Sequence, residues 1–221
     1  MEQGITLMEE KQNLIVKNTL LVMKVVSDYV NTGDFAVDCT MGNGNDTLSL
    51  AMMAGLEGEN PAGGLVYAMD VQDTALEKTA ALLKDNGISV SEAGGIRLIK
   101  DSHENLAQYI AQAGRQPSAI VFNLGFMPGQ NKEILTCVDS TLKALKAALE
   151  CIKEDGIVAV STYRGHSEGM EEHKILEEYL TGLPSKRYHV AYFNMINQKK
   201  TAPAAFFITK KSRNKTAGTQ E

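Results

Sequence analysis

Two short segments bring together the residue types that chemistry needs. Val37-Asp38-Cys39-Thr40-Met41-Gly42-Asn43-Gly44-Asn45-Asp46 is an apolar run closing on a glycine-rich turn, and a second strand-like run closes on Asp70, 24 residues after Asp46. A strand, a tight glycine turn, a helix start and an acid at the tip of the next strand make a nucleotide-binding βαβ unit. A lone Gly-x-Gly is more often a plain turn. The strand before this one and the acid after it favour a nucleoside cofactor.

The turn chemistry narrows the choice. Asn45 stands where a dinucleotide fingerprint has its third glycine, and Asp46 falls at the helix start, where it would cap the helix and repel a diphosphate. S-adenosylmethionine has no phosphate. It needs an acceptor for two ribose hydroxyls, polar groups for its ammonium and carboxylate, and a slot for adenine. Asp70 suits the ribose, and Asn43, Asn45 and the amides of Gly42 and Gly44 suit the amino-acid end. Gln72 lies where an amide could reach ribose or adenine, and Ser102 with His103 could close the adenine side. For Ser102 a helix N-cap is the plain alternative.

The elements that must position these residues alternate in period. Apolar spacing predicts helix over 12–31, then strand 35–40, helix 46–55, strand 65–70, helix 73–87, strand 95–100 and helix 103–113. Strand 118–124, helix 132–152, strand 156–162, helix 169–181 and strands 187–194 and 204–210 follow. Five βα repeats with two closing strands make an α/β, doubly wound, mostly parallel seven-stranded sheet of Rossmann-like form, with the cofactor above the strand carboxyl ends. Those ends are polar throughout: Asp101-Ser102-His103, Asn123-Leu124-Gly125-Phe126-Met127-Pro128-Gly129 and Thr162-Tyr163-Arg164-Gly165-His166. Such convergence favours an enzyme over a binding module, because group transfer must also place a second substrate opposite the cofactor.

Composition agrees with one compact domain. The 221 residues support a sizeable core, read as a single domain over 1–211 with an N-terminal helix and a flexible basic tail at 212–221. No apolar run approaches the ~20 residues of a membrane span, and Met1-Glu2-Gln3-Gly4 does not open a signal peptide. The expectation is a cytoplasmic protein with no membrane partner. A homodimer is compatible with the sequence but nothing in it requires one. Cys39, Cys137 and Cys151 form no Cys-x-x-Cys pair, so buried free thiols are expected, and neither a disulfide framework nor a metal site.

The net charge of −5 is unevenly spread. From Tyr179 to Gln220 there is no Asp or Glu but there are eight Lys and Arg, leaving 14 of the 22 basic residues against all 27 acids. A basic end on an acidic body suits a polyanion partner. Lys199 and Lys200, in a loop between the last two strands, are its best-placed members.

Taken together, Asp38-x-Thr40-x-Gly42-Asn43-Gly44-Asn45-Asp46-Thr47-Leu48, Asp70-x-Gln72, Ser102-His103, Phe122-Asn123-Leu124-Gly125-Phe126-x-Pro128-Gly129 and Tyr163-x-Gly165-His166-x-x-Gly169 resemble a family of small bacterial methyltransferases. The family was long labelled rRNA methylases and is now associated with the tRNA wobble uridine. The resemblance covers about 35 to 210. It implies a class I S-adenosylmethionine-dependent fold, a tRNA substrate, and methylation of the exocyclic amine of 5-aminomethyl-2-thiouridine. It also implies cofactor contacts at Asp38, Gly42, Asn43, Gly44, Asn45, Asp46, Asp70, Gln72, Ser102 and His103. Loop 56–64 is longer than usual, Asn131 stands where an acid is expected, and the basic tail is not a family feature.

Methyl transfer to an amine needs a neutral nucleophile in line with the departing sulfur. The Asn123 side-chain oxygen and the Leu124 carbonyl are the expected acceptors of the amine hydrogens, and thus the catalytic pair. Phe126 would stack on a flipped base, Pro128 would fix its loop, and Tyr163, His166, Lys199 and Lys200 complete the substrate side. His166 as a loop histidine bonded to backbone is an equal alternative. The competing functions are methylation of rRNA or a small amine, and a non-catalytic nucleotide-binding module.

Overall fold

The computed structural model describes residues 17–56, 63–91, 95–125 and 138–212. The predicted helix before 17, loop 57–62, Phe126, Pro128, Asn131, Cys137 and the tail from 213 lie outside the described residues.

Seven strands form one sheet in the order β3-β2-β1-β4-β5-β7-β6. β1 (Phe35–Asp38), β2 (Leu65–Asp70), β3 (Ile96–Lys100), β4 (Ala119–Leu124) and β5 (Ile157–Thr162) are parallel. β7 (Ala204–Lys210) runs antiparallel between β5 and the edge strand β6 (Tyr188–Asn194). The doubly wound sheet is therefore as the apolar period predicts, and the order reverses between β1 and β4, the switch point where such sheets bind ligands.

Side chains alternate across the sheet and sort into two buried layers. Phe35, Val37, Tyr67, Met69, Ile120 and Phe122 face α4 (Leu106–Ala113), α5 (Val138–Cys151) and α6 (Ser167–Thr181). Ala36, Val66, Val121 and Ile157 face α1 (Asn18–Val26), α2 (Asn45–Met53) and α3 (Asp73–Asp85). Cover on both faces explains why β1 and β5 are buried at every position. No described helix is long and apolar enough to cross a membrane.

Two predicted helices are shorter or start differently. Within the described residues helix 12–31 runs Asn18–Val26 and ends short of residue 31, because Ser27 turns its hydroxyl onto the Lys24 carbonyl and the chain leaves through tight turns at Asp28 and Tyr29. Helix 103–113 opens as a 3-10 turn, His103–Asn105, before α4. Cys39 is buried as expected; Cys151 is only half-buried, a correction to the expected buried thiol.

Candidate active site at the strand carboxyl ends

A cavity of about 980 Å³ opens at the carboxyl ends of the parallel strands. Its floor begins at the turn after β1. Gly42 (φ 51°) and Gly44 (φ 85°) occupy the left-handed region open to glycine. At Gly44 a Cβ would stand 2.8 Å from Thr79 Oγ1 and 2.9 Å from its Cα, so the turn seats directly on α3. The Gly44 N–H closes the turn onto the Met41 carbonyl.

Two acids hold this turn. Asp70 accepts from the Gly42 N–H with one oxygen and from the Gln72 N–H with the other, both at 3.0 Å, tying the tip of β2 to the turn. Asp38 is fully buried, accepting from Thr40 N–H at 3.0 Å and Thr47 Oγ1 at 2.6 Å. Burial, with the charges of Asp46 and Asp70 nearby, pushes the Asp38 carboxyl up to about 7. Burial also raises Asp46, against the hydrogen bond it accepts from Asn123.

The structure brings Gly42, Asn43, Asn45, Asp46, Asp70, Gln72, Ser102, His103, Asn123 and Tyr163 to this one cavity, ten of the residues singled out above. Ser102 is also the cap of the 3-10 turn, its hydroxyl accepting from Glu104 N–H, so the plain alternative holds alongside the site position. His103 donates to the Cys39 carbonyl, and burial holds its imidazole below the ordinary value. Its Nε2 is buried with no hydrogen-bond partner among the described residues. The ring packs edge-on against Phe122 with centroids 6.0 Å apart.

Asn123 comes from β4 and reaches across the switch point. Its amide nitrogen donates to Asp46 Oδ2 at 3.1 Å and its backbone N–H to Thr40 Oγ1 at 2.7 Å. Tyr163 packs over Gly125, where a Cβ would come within 3.2 Å of the ring. Burial and the Asp46 carboxylate raise its phenol, while the Asn123 amide draws it down.

Several expectations need correction. Asp38 does not line the cavity: it lies under the turn, where its carboxylate shapes the backbone rather than meeting a ligand. Gly44 faces α3, not the cavity. Asp46 does not cap α2, whose cap residue is Gly44 with no side-chain bond; it binds the Asn123 amide instead. Leu124, expected to act through its carbonyl, has its side chain buried in the core, which does not bear on that expectation. His166 caps α6, with Nδ1 accepting from Gly169 N–H at 3.0 Å, and stands outside the cavity lining. Lys199 and Lys200 are exposed on the β6–β7 loop, at the same end of the sheet but away from the lining.

Other positions were not foreseen. Lys17, Thr19, Leu20 and Met23 of the α1 region add a wall to the cavity; the amphipathic stripe of the helix was the available signal. Arg164 is 7% exposed, and its guanidinium donates to Ala202 O at 2.8 Å, Tyr192 Oη at 3.0 Å and Asn194 Oδ1 at 2.7 Å. It ties the loop after β5 to the β6–β7 loop. His173, also buried, bonds Thr162 Oγ1 through Nδ1 and stacks on Phe206. No spacing in the sequence marks either residue.

A family model described as "Putative rRNA methylase" matches residues 66–209. A chloroplastic tRNA (mnm5s2U34)-methyltransferase of Arabidopsis thaliana is 36% identical over 195 residues, 88% of this chain and 70% of that protein. A crystal structure from Clostridium thermocellum, described as a "putative rRNA-methylase", is 34% identical with TM-score 0.77, covering 86% of this chain and 95% of that one. A "putative methyltransferase" from Streptococcus mutans, crystallised in complex with SAH, is 30% identical with TM-score 0.75, covering 88% and 98%. The matched span runs from β2 to β7 and carries Asp70, Asn123 and Tyr163 with it, and the chain belongs to this rRNA methylase family of methyltransferases.

Proposed function

We propose that this chain is an S-adenosylmethionine-dependent methyltransferase acting in the cytoplasm on tRNA, at the exocyclic amine of 5-aminomethyl-2-thiouridine in the wobble position. The observation that carries the reading is the meeting of the glycine turn, Asp70, Asn123 and Tyr163 around one cavity at the switch point. The Arabidopsis relative, a tRNA (mnm5s2U34)-methyltransferase by name, supports the acceptor.

The donor set fits a cationic nucleoside. Three carboxylates crowd the turn, close enough that Asp46 and Asp70 raise Asp38. A sulfonium and an ammonium relieve that crowding, whereas a diphosphate would meet Asp46 in the first turn of α2. Asp70 would take the ribose, Asn43 and Asn45 the amino-acid end, and Gln72, Ser102 and His103 the adenine side. When bound, the cofactor supplies an electrophilic methyl group on a sulfonium.

The rest is done by the chain. An alkyl amine with a pKa near the ~10.4 of lysine is mostly protonated in water, and a partly dry pocket favours its neutral form. The Asn123 oxygen and the Leu124 carbonyl accept the amine hydrogens and turn the lone pair toward the methyl group. Tyr163 walls the acceptor side. Lys199 and Lys200 would meet tRNA phosphates, and His166 would hold the loop that carries Tyr163. Every residue named belongs to one chain, so a monomer and a homodimer serve alike.

The test is incubation with S-adenosylmethionine and tRNA lacking the terminal wobble methylation, followed by mass spectrometry of the digested nucleosides. Conversion of the 5-aminomethyl nucleoside to its N-methyl form is expected. Methylation of rRNA or of a small amine instead would overturn the acceptor and keep the reaction.

A further inference from the structure

A side-chain amide keeps its shape when turned over, so its neighbours decide which end meets a substrate. The Asn123 amide has one such neighbour of fixed sign. Asp46 Oδ2 lies 3.1 Å from its nitrogen, and a carboxylate has only acceptors to offer. The NH2 group must therefore face Asp46, and the oxygen is turned away from it. That oxygen is buried and has no hydrogen-bond partner among the described residues, in a cavity wall that Asn123, Asp46 and Tyr163 share.

Both ends of the contact are held. Asp46 is the second residue of α2, whose start is set by the left-handed Gly44. The backbone of Asn123 is paired in β4 and tied to Thr40 Oγ1. The two residues are 77 apart in the chain, joined by strand order rather than by local structure.

We propose that Asp46 is the positioning residue of the acceptor site. By accepting from the Asn123 amide it holds the Asn123 oxygen as the acceptor for the N–H groups of the amine to be methylated. This rests on the reading of Asn123 given above and adds a role for Asp46 other than cofactor contact.

Asp46→Asn removes the sign from the contact, because amide facing amide is satisfied either way round. Its kcat at saturating S-adenosylmethionine should fall roughly tenfold or more, with KM for tRNA within about twofold of wild type. Asn123→Asp alone sets two carboxylates against each other and should fall at least as far. The double exchange Asp46→Asn with Asn123→Asp restores an amide donating to a carboxylate, with an oxygen still free for the amine, and should recover most of kcat. SAH titration and thermal unfolding show whether each variant is folded.

The proposal is overturned if the exchange is no better than the poorer single variant, or if Asp46→Asn keeps full kcat. It is equally overturned if Asp46→Asn weakens SAH binding while kcat at saturating cofactor stays unchanged, which makes Asp46 a cofactor contact. Full activity in Asn123→Ala would instead sink the underlying reading of Asn123, a result distinct from each of these.

Discussion

Two regions near the carboxyl ends of the parallel strands hold their charge in opposite ways. On the β1–β2 side, Asp38, Asp46 and Asp70 lie close together, and burial with mutual repulsion pushes Asp38 up to about 7. Beyond β5 lies the buried cation of Arg164, whose guanidinium is met by a carbonyl, a phenol and an amide. The same guanidinium, after burial, pushes His173 down. Crowded carboxylates leave a local excess of negative charge that a cationic guest relieves. A cation satisfied by neutral acceptors from three points of the chain acts as a rivet. One side is built to receive a ligand, the other to hold two loops in fixed relation.

Gly44→Ala breaks this contrast most severely. The new Cβ meets Thr79 at a backbone φ of 85°, and strain plus clash should cost about 2–5 kcal/mol. Thermal denaturation should show a lowered Tm, and SAH binding should be lost with the turn. An unchanged Tm would mean the turn relaxes freely and does not shape the acidic side.

Arg164→Met tests the rivet. It leaves Tyr192, Asn194 and the Ala202 carbonyl without their donor, a loss of about 1–3 kcal/mol. The KM for tRNA should rise several-fold while SAH affinity holds. Equal damage to both would mean the two sides are not independent.

Asp38→Asn sharpens the acidic side through pH. The folded-state value of Asp38 lies above its ordinary 3.8, at about 7, so the folded chain binds that proton more tightly than the unfolded one. Its contribution to stability is present in full below 3.8 and lost as pH rises through about 7. Urea denaturation across this window should therefore show the wild type gaining on Asp38→Asn as pH falls. A constant difference would mean that Asp38 is not crowded.

The smallest effect is expected from Lys199→Ala with Lys200→Ala, since both side chains are exposed. Binding of tRNA should weaken, and the slope of log K against log salt should drop by roughly 0.7–0.9 for each phosphate that is no longer neutralised. An unchanged slope would remove the β6–β7 loop from the polyanion surface.

Much of this was legible in the chain. The strands fall within one or two residues of their expected places because short, continuous apolar runs bounded by polar turns are written locally. The turn from Gly42 to Asp46 and the acid at Asp70 were legible for the same reason: each is a short-range pattern. The depth of Asp38 was not. A motif says which residues cluster in the chain, not which of them lies under the others, and the Thr47 hydroxyl decides that by taking up the second oxygen. Nor was Asp46, which looks like a helix cap in sequence and turns to Asn123 in space. His166 illustrates the reverse, a residue with two readings of which the backbone-bonded one is seen, as the cap of α6.

The sequence by itself determined the alternation of strand and helix, the glycine turn and the polar residues at the strand ends, because propensity, periodicity and turn chemistry act over a few residues. Only the tertiary structure decided which strand ends are neighbours. The order β2-β1-β4-β5 brings Asp70, Asp46, Asn123 and Tyr163 to one cavity, and the β5-β7-β6 pairing sets Arg164 against Tyr192, Asn194 and Ala202. Those contacts span tens of residues, and their partners are chosen by the burial of both sheet faces, a property of the whole core.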